Sequence, residues 1–431
     1  MRRSAKESRP DNEANLIFEW DQVHLRSKPN QPFELVDESM RDGVQSPSVT
    51  APSLADKLEL LELMADLGIQ VVDIGLPGAG KRAFDEVVAL AKHIAKRKLE
   101  LKVYCAARTH LDDIKPIAEA QQKAGMPIAV YTFIGSSPIR QWVEGWDIDF
   151  LVKTSSEAID FAVKEGLEVG YVTEDTTRSS PATLERLFRS AVEHGASRLV
   201  LCDTVGHATP EGTRALVAWT RNLIASMDVP HVKIDWHGHN DRGFALANSI
   251  TALEAGAHRV HGCGLGIGER VGNTPLDLLL LNLKLMGWID NELSQLVRYV
   301  RKVSEAMSFP VPRNYPLSGE DAFRTATGVH AAAIIKAQKR GDDWLADRVY
   351  SGVPAGEFGK EQVIEISHMS GMSNVRYWLE KYLIPATDEL CTAILQRAKN
   401  SARTLTDDEI FEVCARFSDR PEARRRVGAA G

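Results

Sequence analysis

Residues 169–203 read VGYVTEDTTRSSPATLERLFRSAVEHGASRLVLCD, one complete strand–helix–strand unit. Val169–Val172 and Arg198–Asp203 are short apolar runs, too short to stand as helices. Between them Ser180-Pro181 opens a helix with proline at its first position, where the missing N–H costs nothing. Both runs end in polar residues, Thr173-Glu174-Asp175 and Asp203-Thr204. The same alternation extends in both directions. Phe33–Glu38, Val71–Pro77, Leu101–Ala106 and Ile128–Ile134 precede this unit as strands, and Val232–His237 and Arg259–Gly264 follow it. Ser53 caps a helix over Leu54–Leu67 that Gly68 stops, and Thr209-Pro210-Glu211 opens another. Eight strands alternating with helices over roughly 250 residues is the count of a closed parallel barrel. A doubly wound open sheet would offer a glycine-rich phosphate turn after its first strand, and none follows Phe33–Glu38. The expected fold is therefore α/β, a (β/α)8 TIM barrel. After about Trp288 the alternation stops. Helical patterns at 294–308, 321–338 and 371–401, interrupted by Pro310, Pro312 and Pro316, predict a mainly helical C-terminal extension. The predicted division is a flexible tail at 1–31, the barrel at 32–290, the helical region at 291–418 and a second tail at 419–431.

Composition narrows the function classes. The 431 residues carry 52 Lys+Arg against 59 Asp+Glu, a net charge of −7, with 44% apolar and 26% charged residues. That is the balance of an ordinary globular protein, and it offers neither a nucleic-acid footprint nor a polybasic membrane patch. The apolar run around Leu278–Leu281 is far short of the ~18 residues a membrane span needs. Five scattered cysteines without a C-x-x-C pair argue against a disulfide scaffold or a zinc ribbon. Met1–Asn15 has no apolar segment of the kind that directs secretion, so the expectation is a cytoplasmic enzyme.

In a parallel barrel the chemistry sits at the carboxyl ends of the strands. Strand one runs into Glu38-Ser39-Met40-Arg41-Asp42-Gly43, and strand seven into His237-Gly238-His239-Asn240-Asp241. His237 and His239, two apart, leave a strand on the same side and can close on one ion. With Asp42 as a hard oxygen donor they form a set suited to Mg, Mn, Zn or Fe(II), with positions left for substrate. Arg41 can stabilise a developing oxyanion, or pair structurally with Glu38 or Glu174. Glu174 and Asp175 can act as an acid/base pair, or cap the turn that begins at Thr176. The loop from Gly264 to Asn273 is only weak evidence for phosphate binding, and His330 in its helical context points to no function by itself.

Four blocks give these residues a family setting. D-E-S-M-R-D-G-V-Q-S-P at Asp37–Pro47 stands where a family block usually reads D-T-T-L-R-D-G-E-Q-S-P. T-F-I-G-S-S-P-I at Thr132–Ile139 is the second. H-G-H-N-D-R-G-F-A-L-A-N-S at His237–Ser249 joins G-I-G-E-R-V-G-N at Gly266–Asn273, and A-F-R-T-A-T-G-V-H spans Ala322–His330. Over about residues 33–385 the chain resembles the 2-isopropylmalate synthase/homocitrate synthase family of metal-dependent, Claisen-condensing barrels. The resemblance implies Asp42, His237, His239 and Asn273 as ligands of one divalent cation (Mg, Mn or Zn), with acetyl-CoA as co-substrate. It implies that Arg41 polarises the keto group of a 2-oxo acid, that Thr204 holds its carboxylate, and that Glu174 belongs to the catalytic set. Gln45, Tyr131, Gly170 and Val172 would surround the substrate. It also implies a homodimer in which His330 and Tyr350 of one extension complete the neighbouring barrel's site.

The chain departs from the family pattern at several of these places. Val44 replaces a Glu, Tyr131 a His, and Thr325–His330 read T-A-T-G-V-H where the family has H-E-S-G-I-H. The homocitrate branch carries an Arg for the distal carboxylate of 2-oxoglutarate where this chain has Gly170, which leaves only Arg140 or Arg178 to replace it. An unpaired buried carboxylate is costly. An apolar acid such as 2-oxoisovalerate is therefore expected, giving 2-isopropylmalate in leucine biosynthesis, with Gly170 leaving room for something bulkier, even aromatic. At 431 residues the chain is also expected to lack the C-terminal regulatory domain of long isopropylmalate synthases, and with it leucine feedback. A hydroxymethylglutaryl-CoA lyase shares the barrel, the Arg-Asp pair and the H-x-H, but has a cysteine-containing glycine loop where this chain reads G-I-G-E-R-V-G-N. A biotin-dependent carboxyltransferase needs a strand-end lysine that Asp203-Thr204-Val205-Gly206 does not supply, and a non-catalytic scaffold has little use for ligands at several strand ends.

Overall fold

Eight parallel strands pair in sequence order and close into a barrel: β1 (Glu34–Asp37), β2 (Val71–Asp73), β3 (Lys102–Arg108), β4 (Ala129–Gly135), β5 (Val169–Glu174), β6 (Arg198–Asp203), β7 (Lys233–Gly238) and β8 (Arg259–Gly262). This computed structural model describes residues 16–20 and 28–417; the tail expected at 419–431 and most of that expected at 1–31 lie outside the described residues. Closure is made by β1 against β8, with Glu34 beside Arg259 and Asp37 beside Gly262. The expected TIM barrel is thus the observed one, each strand starting within two residues of its predicted position. β2 and β8 are shorter than expected because the chain leaves the sheet at Ile74 and Cys263 to form the rim.

The connecting helices begin where side-chain chemistry satisfies their first N–H groups. At Leu54–Asp66 the Ser53 hydroxyl accepts from the Asp56 N–H, and the Asp56 carboxylate accepts from Ser53 in return. Pro181 and Pro210 start their helices behind Ser180 and Thr209, as the sequence predicts. Inside the barrel every second residue points inward. Val36, Val71, Tyr104, Tyr131, Val200 and Cys202 pack there as one cluster.

The barrel unit extends to Val311, past the boundary at 290 read from the sequence. The reason is the helix Leu296–Ala306, whose buried Tyr299 donates its hydroxyl to Asp37 at 2.5 Å and whose Lys302 reaches Asp56 and Glu59 at 2.8 and 2.7 Å. The unit from Pro312 onward is mainly helical, with Ile366, Val375, Trp378, Leu379, Leu390 and Ile394 in its core. Two details depart from expectation. The segment at 321–338 starts with a short strand, Arg324–Thr325, paired in parallel with Val363–Ile364. The stretch 371–401 is two helices, Met372–Lys381 and Asp388–Lys399, the second capped by Thr387. All five cysteines are free, and among the described residues no helix is long and apolar enough to cross a membrane.

Candidate active site

The carboxyl ends of the strands surround a cavity of about 300 Å³. Glu38, Arg41, Asp42 and Gln45 reach it from the loop after β1, Glu174 from the end of β5, Thr204 from the end of β6, and His237 and His239 from β7 and its loop. Its walls are Leu76, Tyr104, Ala106, Tyr131, Phe133, Val172, Val200 and Cys202, with His261 and Glu269 completing the lining. Most residues picked out from the strand ends therefore converge here.

Ligand atoms of Asp42, His237 and His239 lie within 4.8 Å of one another. Nε2 of His237 is 3.3 Å from Nε2 of His239 and 3.3 Å from Oδ2 of Asp42. Two imidazole nitrogens this close share at most one proton in the neutral state, so at least one lone pair faces this spot. Asn273 is brought beside His239 by a single antiparallel bridge, and its Nδ2 donates to the Ile267 carbonyl at 3.0 Å. That bond fixes the amide and leaves Oδ1 buried without a hydrogen-bond partner. Buried acceptors normally find donors, so this point of the structure fits a cation held by imidazole, carboxylate and amide oxygen. The hairpin that carries Asn273 depends on Gly272, whose φ is +91° and where a Cβ would collide with the Gly266 carbonyl.

A second group, Glu38, His237 and His261, is equally close-knit but of a different kind. Here both oxygens of the carboxylate are satisfied. Oε2 of Glu38 accepts from Nδ1 of His237 at 2.7 Å, while Oε1 accepts from Tyr104 Oη at 2.6 Å, Arg41 Nη2 at 3.0 Å and His261 Nδ1 at 3.1 Å. Burial opposes the charge on Glu38, but His237, His261 and Arg41 hold its carboxyl well below the usual carboxylate range.

Arg41 resolves the choice left open by its position. It is paired with Glu38, and more closely with Asp73 on β2, Nε to Oδ2 at 2.6 Å, but not with Glu174. Its Nη1 lies 3.6 Å from Oδ1 of Asp42. Glu174 and Asp175 turn to different partners. Asp175 has φ +60° and its carboxylate accepts two bonds from Arg178 at 2.7 and 2.6 Å, whereas Glu174 faces the cavity with burial raising its pKa. The Thr204 hydroxyl accepts from the Asp175 N–H at 2.8 Å, leaving its own proton to donate.

Gly170 is not among the cavity-lining residues. It faces inward, but the Tyr131 ring lies over it, and a Cβ there would come within 2.7 Å of that ring. The room expected at Gly170 is thus taken by the tyrosine that replaces the family's histidine. Arg140 bonds to Glu144 at 3.0 Å and lies 3.9 Å from Glu174, and Arg178 bonds to Asp175; neither is among the cavity-lining residues. His330 and Tyr350 belong to the C-terminal unit, where they stack at 4.2 Å with Val329 and Tyr350 exposed nearby. Reading strand ends missed Asp73, Tyr104 and His261. Each sits on an inward position of a strand buried on both faces, where a polar residue is itself the signal.

Comparison with known proteins gives the following similarities. Residues 32–307 match the family described as HMGL-like. The homocitrate synthase of Methanopyrus kandleri is 31% identical over 390 residues, 89% of this chain and 92% of that protein. The 2-isopropylmalate synthase of Methylacidiphilum infernorum is 31% identical over 307 residues, 70% of this chain but 59% of that longer protein. Among solved structures, the HMG-CoA lyase of Bacillus subtilis superposes with a TM-score of 0.55 at 21% identity, over 66% of this chain and 97% of the lyase, a likeness of fold.

Proposed function

The chain belongs to the HMGL-like family, with homocitrate and 2-isopropylmalate synthases among its relatives, and from that premise we propose that it condenses acetyl-CoA with an apolar 2-oxo acid. The observation that carries this reading is the convergence of Asp42, His237 and His239 beside Arg41, over a wall made of Leu76, Phe133, Val172, Val200 and Cys202. A divalent cation held by those three residues and Asn273 supplies Lewis-acid polarisation of a keto group when bound. The protein's own residues do the rest. Thr204 donates its hydroxyl proton to the carboxylate of the 2-oxo acid. Glu174, whose burial raises its pKa and so makes its ionised carboxylate a stronger base, takes the methyl proton of acetyl-CoA. The resulting carbanion attacks the keto carbon, and negative charge collects on the former keto oxygen. Arg41, fixed by Glu38 and Asp73, donates from Nη1 to that oxygen, a preorganised stabilisation. The proton removed by Glu174 is made good on that oxygen, giving the hydroxyl, and water then cleaves the thioester C–S bond, releasing free CoA and the hydroxy diacid.

The preferred acid is 2-oxoisovalerate, giving 2-isopropylmalate. Supporting this, among the described residues no arginine other than Arg41 lines the cavity, so a distal carboxylate such as that of 2-oxoglutarate lacks an arginine partner there. The proposal extends to a cytoplasmic homodimer in which the exposed His330–Tyr350 stack serves a neighbouring barrel. The test is release of CoA thiol from acetyl-CoA, with Mg or Mn, across pyruvate, 2-oxoisovalerate, phenylpyruvate and 2-oxoglutarate. Fastest release with 2-oxoisovalerate is expected. Fastest release with 2-oxoglutarate overturns the substrate assignment, and cleavage of a 3-hydroxyacyl-CoA with no condensation overturns the reaction.

A further inference from the structure

Glu38 stands where the family block usually has threonine, yet four side chains bond to its carboxylate. It is 2% exposed, and its two oxygens are unequally shared. One serves Nδ1 of His237 alone, at 2.7 Å; the other collects Tyr104, Arg41 and His261. The donors come from β3, β7, β8 and the loop after β1, so the carboxylate cannot swing away from His237 without breaking contacts on the other side.

This arrangement constrains the imidazole. An Nδ1–H donated to a carboxylate places the lone pair on Nε2, the nitrogen 3.3 Å from both Asp42 and His239. A carboxylate behind an imidazole also makes the other nitrogen a better donor to a cation, and losing such an outer partner costs about 10- to 100-fold in affinity. We propose that Glu38 is a positioning residue that sets the tautomer and ring orientation of His237 and thereby the affinity of the site for a divalent cation. The inference rests on the assignment of Asp42, His237 and His239 as cation ligands, not on the identity of the 2-oxo acid.

Titration calorimetry of the full chain with Mn2+ tests it, on the wild type and on Glu38→Gln, Tyr104→Phe and His237→Ala. Gln keeps the size of the side chain but puts an N–H against one of the donors. The expected result is a Kd raised about 10- to 100-fold in Glu38→Gln. Tyr104→Phe, which leaves the bond from His237 to Glu38 intact, is expected to change it by less than about 3-fold, well under the effect of losing the outer partner. His237→Ala is the control: Mn2+ binding that survives it removes the ligand assignment. Binding lost in His237→Ala but unchanged in Glu38→Gln overturns the positioning role alone, and so does an equal loss in Tyr104→Phe. Should Glu38→Gln not fold, 15N spectra of the metal-free wild type, with His237 assigned by difference from His237→Ala, decide the matter. Protonation on Nδ1 is expected, and protonation on Nε2 overturns the proposal.

Discussion

The two halves of the barrel interior are built from the same residue types and do opposite things with them. At the closed, amino-terminal half, Arg198 binds Asp235 through two nitrogens at 2.7 and 2.9 Å. Tyr131 donates to Asp235 at 2.7 Å, and Arg259 bonds to Tyr131 and to Glu34 at 2.8 and 2.6 Å. Burial opposes the charge on Asp235, but Arg198, His261 and Arg259 hold its carboxyl well below the usual range. The open half also buries carboxylates, histidines and an arginine, yet there Asn273 Oδ1 has no hydrogen-bond partner, and the facing Nε2 atoms of His237 and His239 leave at least one lone pair beside Asp42. Buried charge therefore does not mark the functional end of this barrel. What marks it is acceptors that converge and stay unsatisfied.

Breaking the open half should abolish chemistry with little change in stability. His237→Ala should lose Mn2+ affinity by more than the ~100-fold that removing an outer partner costs, and CoA release should fall with it. Calorimetry and a thiol assay measure the two, and turnover that survives would remove the site assignment. Breaking the closed half should do the reverse. Arg198→Ala leaves Asp235 buried without its main counter-charge, a change that costs about 3–5 kcal/mol. Urea unfolding should show that loss, while Mn2+ affinity of the folded protein should fall by less than in Glu38→Gln, because Asp235 reaches His237 only through His261 and Glu38. An unchanged midpoint would show that the network is not structural.

How much of this was legible in the sequence follows from the distance between partners. Eight strands, their order and the strand-end positions of Asp42, His237 and His239 are written in local pattern, because period and punctuation act over a few residues. The partners of those residues are not local. Arg41 pairs with Asp73 on the next strand, and Glu38 with His261 more than two hundred residues away; only barrel closure, which puts Glu34 beside Arg259, makes them neighbours. Alternation would have exposed some of them. Glu34, Val36 and Glu38, like Arg259 and His261, share an inward parity in strands otherwise apolar. Asn273 is different again: it stands in a rim hairpin, and no period marks it.

The pair Gly170 and Tyr131 joins the two halves, and it sharpens the contrast. Tyr131 lines the cavity with its ring but anchors its hydroxyl in the lower network, between Asp235 and Arg259. It also stacks on Tyr104, centroids 3.9 Å apart. A ring so held cannot yield to a Cβ at 170, so Gly170→Ala should cost about 1–3 kcal/mol, the range for overpacking. The loss should shrink when Tyr131→Ala is made as well, a coupling of at least ~0.5 kcal/mol expected of residues in contact. Additive losses in urea unfolding would mean that the ring moves freely over Gly170. By the same logic Gly170→Arg alone should not admit 2-oxoglutarate.

The smallest effect belongs to the rim of the closed half. His258, partly buried, accepts the Ile234 N–H on Nδ1 at 3.1 Å, and only a neutral ring can accept there. Burial, with Lys233 and Arg198 nearby, pushes its pKa down to about 4 from 6.5. The folded pKa lies below the unfolded one, so between them the unfolded chain binds more protons. Stability is then intact above pH 6.5 and declines as pH falls from 6.5 toward 4, by about 1–2 kcal/mol after allowance for partial exposure. Urea unfolding at pH 7 and pH 4.5 on the wild type and His258→Asn, which keeps an acceptor without a titrating proton, isolates this contribution. The variant should lose less stability on acidification than the wild type does. Identical losses would mean that the ring leaves Ile234 before it protonates, and that the acid sensitivity of the barrel lies in its carboxylates.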